Sequence, residues 1–154
     1  MNYSVDNIHK ICEVYGITNY TINADGSIDV DGDVNLYRCG LTKLPMKFNH
    51  VSGNFNCRWN QLTSLEGSPQ SVGDNFNCSW NNLTTLEGCP KSVGGDFECS
   101  YNKLTTLEES PNNLGGSFNC DGNPIYDQLG DIDYKSYIKQ LNRDKILNEL
   151  LNAR

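Results

Sequence analysis

The feature that most constrains this chain is a 21-residue unit that recurs through its central part. Units this short and this regular cannot each enclose a core, so they bury their apolar side chains by stacking on their neighbours. The repeat therefore predicts a solenoid over residues 34–124, with four coils and a partial fifth. The coils begin at Val34, Phe55, Phe76, Phe97 and Phe118, and the first of them is diverged.

The three central units, which begin at Phe55, Phe76 and Phe97, follow the template F-x-C-x-x-N-x-L-x-x-L. The Phe and the Cys stand two positions apart, which is typical of a short β-strand with one buried face, so both are expected inside the solenoid. The Asn follows at the turn, where stacked side-chain amides can satisfy unpaired backbone groups. The template therefore predicts an asparagine ladder of Asn60, Asn81, Asn102 and Asn123, with Cys39 in the slot of the first coil.

The segment that links one template to the next contains both proline and glycine, for example Pro69 and Gly73. Proline lacks the backbone N–H that an interior helical position needs, and glycine weakens a helix. The convex side is therefore predicted to be irregular and non-helical, with a short parallel β-sheet on the opposite, concave face.

In this register, segments 55–65, 76–86 and 97–107 resemble short bacterial-type leucine-rich repeats. The fuller pattern, Leu-Glu-Gly-Ser-Pro followed by Ser-Val-Gly and Phe-x-Cys, is similar to small leucine-rich repeat proteins of bacteriophages and some bacteria. The resemblance implies a leucine-rich repeat solenoid that offers a binding surface, and it implies no common reaction.

Segments outside the repeat are predicted to cover its N-terminal end. Residues 4–15 carry apolar side chains at helical spacing after the N-cap candidate Ser4, and Gly16 follows them. Residues 20–30 have the alternation and turn chemistry of a β-hairpin. Because an open solenoid end is apolar, residues 1–33 are interpreted as an N-terminal cap.

Residues 125–154 are interpreted as a helical C-terminal cap. They contain two apolar stripes at helical spacing, interrupted at residues 142–144, with Asp133 and Asp144 as N-cap candidates. The second stripe is alternatively explained as a surface through which two copies of the chain form a homodimer. Its members are Ile146, Leu147, Leu150 and Leu151.

The charge distribution and the lack of targeting signals argue against nucleic-acid-binding, membrane-bound and secreted proteins. The net charge is −7, and residues 1–33 carry six acidic side chains against Lys10. The sequence has no basic stripe of the kind that binds nucleic-acid phosphates, and no basic helix suited to a membrane surface. It has neither a signal peptide nor a stretch long enough to cross a membrane, so we expect a cytoplasmic protein, in the host cytoplasm if it comes from a bacteriophage.

The sequence contains no recognisable catalytic or metal-binding constellation. Aspartates cluster near Gly32, but the EF-hand pattern fails there because Arg38 stands where a bidentate Glu belongs. His9 and His50 have no partner at metal or triad spacing. The seven cysteines are odd in number and fall mainly at one inward position, so they are expected to be reduced and structural. We expect no enzymatic activity, no metal and no cofactor.

The concave face is the predicted binding site. Its sharpest feature is an aromatic column at a template position that the core does not require, formed by Trp59, Trp80 and Tyr101. Exposed aromatic residues beside arginine are typical of interface hot spots, although stacking for stability would produce the same column. The neighbouring candidate binding residues are Arg38, Tyr37, Arg58, Asn56, Asn77 and Glu98.

These observations favour a non-enzymatic protein-binding module that binds its partner through the concave aromatic face. The resemblance to bacteriophage proteins implies a bacterial host protein as partner, so an inhibitor or adaptor of a host or defence protein is the leading hypothesis. One alternative is a protein that sequesters a small ligand or nucleotide by stacking on the aromatic column. Another is a component of a virion or of its assembly.

Overall fold

The computed structural model describes residues 4–130 and 132–153, and it confirms the predicted solenoid. The chain opens with helix α1 (Val5–Val14) and continues into strands β1 (Tyr20–Ile22) and β2 (Ile28–Val30). Ser4 caps α1, with its Oγ accepting a hydrogen bond from the Asn7 N–H at 3.3 Å. β1 and β2 pair antiparallel, so both the helix and the hairpin predicted for this end are present.

Parallel strands stacked one per coil form the front sheet, the face predicted to be concave. Its strand order follows the chain, and each residue pairs with the residue 21 positions later, as Phe55 does with Phe76. On this face only two residues of each coil are regular strand, because the turn at the asparagine ladder follows soon after. The strands are β3 (Val34–Asn35), β5 (Phe55–Asn56), β7 (Phe76–Asn77), β9 (Phe97–Glu98) and β11 (Phe118–Asn119).

A second parallel sheet runs along the other side of the solenoid. The absence of helix there agrees with the prediction, but the extended segments also pair from coil to coil, which the Pro and Gly content does not reveal. The hairpin strand β2 joins this back sheet parallel to its first strand, so the N-terminal hairpin continues the sheet. Its strands are β4 (Phe48–Val51), β6 (Ser71–Val72), β8 (Ser92–Val93) and β10 (Asn113–Leu114).

The core between the two sheets is one continuous stack of side chains. The Phe rings of successive coils lie parallel, with centroids 5.5 Å apart between Phe55 and Phe76 and 5.2 Å between Phe76 and Phe97. Phe48 closes the N-terminal end of this stack edge-on, at 5.1 Å from Phe55. The inward cysteines and leucines of the coils that begin at Phe55, Phe76 and Phe97 are buried beside the rings, whereas Leu41 of the first coil is only partly buried. The alternation of the template therefore places residues as predicted.

Glycine after the back strand permits the close approach of neighbouring coils. A Cβ at Gly94 would lie 1.9 Å from the carbonyl oxygen of Gly73, and one at Gly115 would lie 1.9 Å from that of Gly94. No side chain fits at such a distance, so these positions require glycine for packing.

The C-terminal region contains helices α2 (Pro124–Leu129) and α3 (Tyr134–Asn152). Asp133 caps α3 as predicted, accepting from the Ser136 N–H. The predicted interruption at residues 142–144 is wrong: Asp144 lies inside α3, because Asn, Arg and Asp are tolerated in an exposed helix without Pro or Gly. The second half of α3 leaves an apolar stripe exposed, with Ile146, Leu147, Leu150 and Leu151 at 50–65% exposure. No helix within 4–130 or 132–153 has the length and apolar character needed to span a membrane.

Candidate functional site

The asparagine ladder holds the turn that follows each front strand. The Asn81 Nδ2 donates to the carbonyl oxygens of Cys78 at 3.0 Å and Cys57 at 3.1 Å, and its Oδ1 accepts from the Leu62 N–H at 2.9 Å. Each ladder amide thus joins the backbone of two coils. The same arrangement occurs at Asn60, Asn102 and Asn123.

Cys39 stands at the ladder position of the first coil but does not act as a ladder residue. Its side chain is exposed, and the Sγ–H donates only to the Tyr37 carbonyl oxygen at 3.6 Å. A thiol has no acceptor and second donor comparable with an amide, so it cannot bridge two coils. The ladder therefore begins at Asn60.

The aromatic column occupies a turn in the left-handed backbone region. The φ angles are 57° at Trp59, 57° at Trp80 and 54° at Tyr101. Arg38 and Gly122, at the same position of the outer coils, have φ of 54° and 66°. Glycine adopts this conformation without strain, whereas other residues are disfavoured there by about 1 kcal/mol or more. The local backbone thus does not favour the aromatic residues found at the three middle coils.

The rings of the column are stacked face to face. Trp59 and Trp80 have centroids 4.5 Å apart and planes 9° apart, and Trp80 and Tyr101 lie at 4.2 Å and 20°. The Arg38 guanidinium covers the other side of Trp59 at 5.4 Å. At the far end Gly122 packs on Tyr101, where a Cβ would lie 2.6 Å from the ring.

This stack leaves ring edges, and not ring faces, available to a partner. Trp59, Trp80 and Tyr101 remain 41%, 42% and 50% exposed. Stacking stabilises such pairs by about 0.5–1.5 kcal/mol each, so the column has a structural contribution. A base or other flat ligand would have to insert between rings that are already in contact, which weighs against the alternative of ligand sequestration by stacking.

A polar column borders the front strands beside the aromatic column. Its asparagines accept a hydrogen bond from the backbone N–H two residues later, as Asn77 Oδ1 does from Ser79 at 3.0 Å. Asn35, Asn56 and Asn119 make the same bond. Glu98 makes no such bond in the part of the chain that the structure describes, and it contacts the Asn119 side chain instead. Burial, with the charges of Asp96 and Asp121, raises the pKa of the Glu98 carboxyl above its usual value.

One line of residues lies between these two columns, and in its middle Ser79 and Ser100 are more buried than the side chains on either side. We call this strip the front trough: Ser79 and Ser100 lie along its middle, with the aromatic column on one side and Asn77 and Glu98 on the other. Both serines are buried, at 6% exposure, and the Ser100 Oγ is buried without a hydrogen-bond partner. Beyond these two serines, Arg58 lies over the Tyr37 ring at 5.0 Å on one side, and Asp121 is exposed on the other.

A second ladder, which the sequence analysis missed, precedes the front strands. The Asp33 Oδ1 accepts from the backbone N–H and the Nδ2 of Asn54, and the Asn54 Oδ1 accepts likewise from Asn75. Asp96 continues the column by accepting from the Ser117 N–H at 2.7 Å. The available signal was a polar residue directly before every Phe.

The acidic hairpin is joined to the first coil by hydrogen bonds. Asp25 pairs with Lys47 at 2.6 Å, and Asp29 accepts from the Asn49 Nδ2 at 2.7 Å. Asp31 accepts from the Ser52 Oγ at 3.0 Å. These donors hold the pKa values of Asp25 and Asp29 below their usual range. Across 4–130 and 132–153 no group of three His, Cys, Asp or Glu side chains could hold a metal ion.

A small cleft lies away from the front surface, on the first two coils. Its volume is about 180 Å³, and its lining includes Leu44, Met46, Thr63 and Gly67. Pockets that enclose drug-sized ligands are larger, about 300–1,000 Å³. The aromatic column takes no part in this cleft, so the two features are separate.

Comparison with known protein families, with characterised proteins and with solved structures finds no match for this chain.

Proposed function

We propose that this protein is a non-enzymatic binding module that docks a partner protein on its front surface. The observation that carries the proposal is the aromatic column, in which large residues occupy a left-handed turn that favours glycine and present their edges to solvent. Residues that a local backbone disfavours are expected mainly at functional sites. Trp, Tyr and Arg are also the residue types most enriched in interface hot spots.

A rigid support strengthens this assignment. The column stands directly after the front strands, and two polar ladders fix the backbone on either side of each strand. A surface held in this way loses little conformational freedom on binding, which favours affinity. A module that covers part of another protein acts by occlusion or by bridging. The resemblance to bacteriophage leucine-rich repeat proteins supports a bacterial host protein as the target.

The test is affinity capture from bacterial lysate, followed by mass spectrometry of bound proteins and of small molecules released by heat. The double variant Trp59→Ala, Trp80→Ala removes the ring edges but also the stack. A second variant, Trp59→Tyr, Trp80→Tyr, retains a stack while changing the edges. We expect both to lose the protein that the wild type captures, and the matched control Leu150→Ala, which alters an exposed apolar residue on α3, to retain it.

Three results contradict the proposal. Capture that survives both double variants excludes the aromatic column, and capture lost only with Leu150→Ala assigns binding to α3. A released small molecule without a bound protein supports ligand sequestration instead.

A further inference from the structure

The charges on the front surface are separated along the solenoid axis. Arg38 and Arg58 belong to the first two coils, and Glu98 and Asp121 belong to the last two. The middle coil is neutral there, with Asn77, Ser79 and Trp80 at the corresponding positions. The surface therefore has a basic end and an acidic end, although the chain as a whole is acidic.

These charges have no partner of opposite sign among the described residues. The ion pairs there join Lys47 with Asp25, Glu109 with two lysines, and Arg143 with Asp144, so they all lie off the front surface. The Arg38 and Arg58 guanidinium groups lie over aromatic rings only.

Glu98 stands where the other four coils have asparagine, and this replacement removes a hydrogen bond. Asparagine at this position caps the backbone two residues later, and Glu98 gives up that bond. It also places a half-buried carboxylate near Asp96 and Asp121, and the neighbouring Ser100 Oγ is buried without a partner. The Asn119 side chain offers the Glu98 carboxylate one hydrogen bond, but the Ser100 Oγ keeps no partner among the described residues. A group outside the chain is therefore the natural source of the missing partner and of an opposite charge.

Distances along the solenoid axis indicate the kind of partner that could supply such groups. Successive parallel strands are about 4.8 Å apart, so Arg58 and Asp121, three coils apart, are separated by about 14 Å. An extended chain advances about 3.3 Å per residue and places every second side chain on the same side, so about four residues span this distance.

We propose that the front trough binds an extended peptide segment laid across the coils, with an acidic and a basic side chain four residues apart. The acidic side chain pairs with Arg38 and Arg58, and the basic one pairs with Glu98 and Asp121. The segment's intervening residues lie over Ser79 and Ser100, against the edges of the aromatic column. This inference rests on the proposed function and specifies the chemistry of its partner.

The test uses a displayed library of random dodecapeptides selected on the whole protein. We expect the enriched peptides to share an acidic and a basic residue four positions apart, in either order. Arg58→Glu should weaken their binding at least about tenfold, since a close charge pair at an interface contributes on the order of 1.4 kcal/mol or more. Peptides whose acidic residue is replaced by lysine should recover binding to the Arg58→Glu protein. The control variant Glu87→Gln changes an exposed charge outside the front trough and should leave peptide binding unchanged.

Glu98→Asn separates a binding role from a structural one. Restoring the repeat residue should leave folding intact or improve it while weakening the selected peptides, a combination that a purely structural residue does not produce. Enriched peptides without the charge spacing, or with equal affinity for the Arg58→Glu protein, overturn the inference. If those peptides still lose binding to the Trp59→Tyr, Trp80→Tyr protein, the aromatic column binds them, so the proposed function is retained and only the charge spacing is rejected. Peptides indifferent to every front-surface variant, or no enrichment at all, also overturn the inference, and the lysate capture with the tryptophan variants then decides the proposed function separately.

Discussion

At the scale of single residues, the repeat shows which positions serve stability and which do not. Asparagine in the polar column caps its own turn in four coils, and Glu98 replaces it in one. Exact repetition therefore marks a structural role, and the isolated exception marks a position under a different constraint. The aromatic column is a mixed case, because its rings stabilise one another and also expose their edges.

We expect Glu98→Asn to raise the free energy of unfolding at neutral pH by about 1 kcal/mol, the typical contribution of a regained hydrogen bond. Because the folded-state pKa of Glu98 is raised, its carboxyl favours folding only while protonated, and this advantage disappears as pH rises through that pKa. The gain from the substitution should therefore be present at pH 7 and smaller below about pH 4.3, the ordinary pKa of a glutamate in the unfolded chain. Urea denaturation at both pH values measures it, and equal stability of the two proteins at pH 7 would contradict it.

At the scale of elements, the junction between the hairpin and the first coil depends on carboxylates. Asp29 and Asp33 accept hydrogen bonds from Asn49 and Asn54, which lie 20 and 21 residues later. Hydrogen bonds between positions about one repeat apart therefore continue from the coils into the segment that precedes them. The hairpin also extends the back sheet, so its strands cover the N-terminal end of that sheet.

We expect this junction to weaken in acid. The pKa values of Asp29 and Asp33 are lowered in the folded state, chiefly by the Asn49 side chain and by the Asn54 backbone N–H respectively. Such groups stabilise the fold above their unfolded pKa, about 3.9, and this stabilisation is lost as pH falls through the folded value. Hydrogen exchange at pH 3 should show the hairpin opening before the coils, and Asp29→Asn should reduce the difference between pH 3 and pH 6. Uniform opening of hairpin and coils would be evidence against this role.

At the scale of the whole molecule, each coil is stabilised by the coils on either side of it, because each unit contacts only its neighbours. The reactivity of the buried cysteines measures how well the stacked coils exclude solvent. Cys57, Cys78, Cys99 and Cys120 form a column inside the solenoid, and burial raises the pKa of Cys57 to about 12 and of Cys120 to about 11. Thiols in such an environment do not react near neutral pH.

We expect one thiol to react rapidly with a disulfide reagent in the native protein and seven after denaturation, the number in the sequence. The rapid thiol is Cys39, the exposed cysteine of the described residues. Cys39→Ser should abolish the rapid phase and leave six slow thiols that follow unfolding. Several rapid thiols in the native state would show that the solenoid opens locally.

The sequence by itself determined the coil, because period, inward residues and turn residues are all set by spacing along the chain. The register of the front strands, the stacked Phe rings and the asparagine ladder follow from the template alone. The N-terminal helix and hairpin follow from their own capping and turn residues. The predicted break in α3 does not occur, because Asn, Arg and Asp at 142–144 do not stop a helix as Pro or Gly would.

The tertiary structure decided what depends on contacts between coils. Only the structure shows that Trp59, Trp80 and Tyr101 cover each other's faces and that Cys39 leaves the ladder. It also shows that the turn of the aromatic column has a left-handed backbone. The pairing of the back strands and the ladder from Asp33 to Ser117 likewise join residues that are 21 positions apart in the chain but adjacent in space. Spacing fixes where a residue stands in its own coil, whereas its function depends on the residues of the coils above and below.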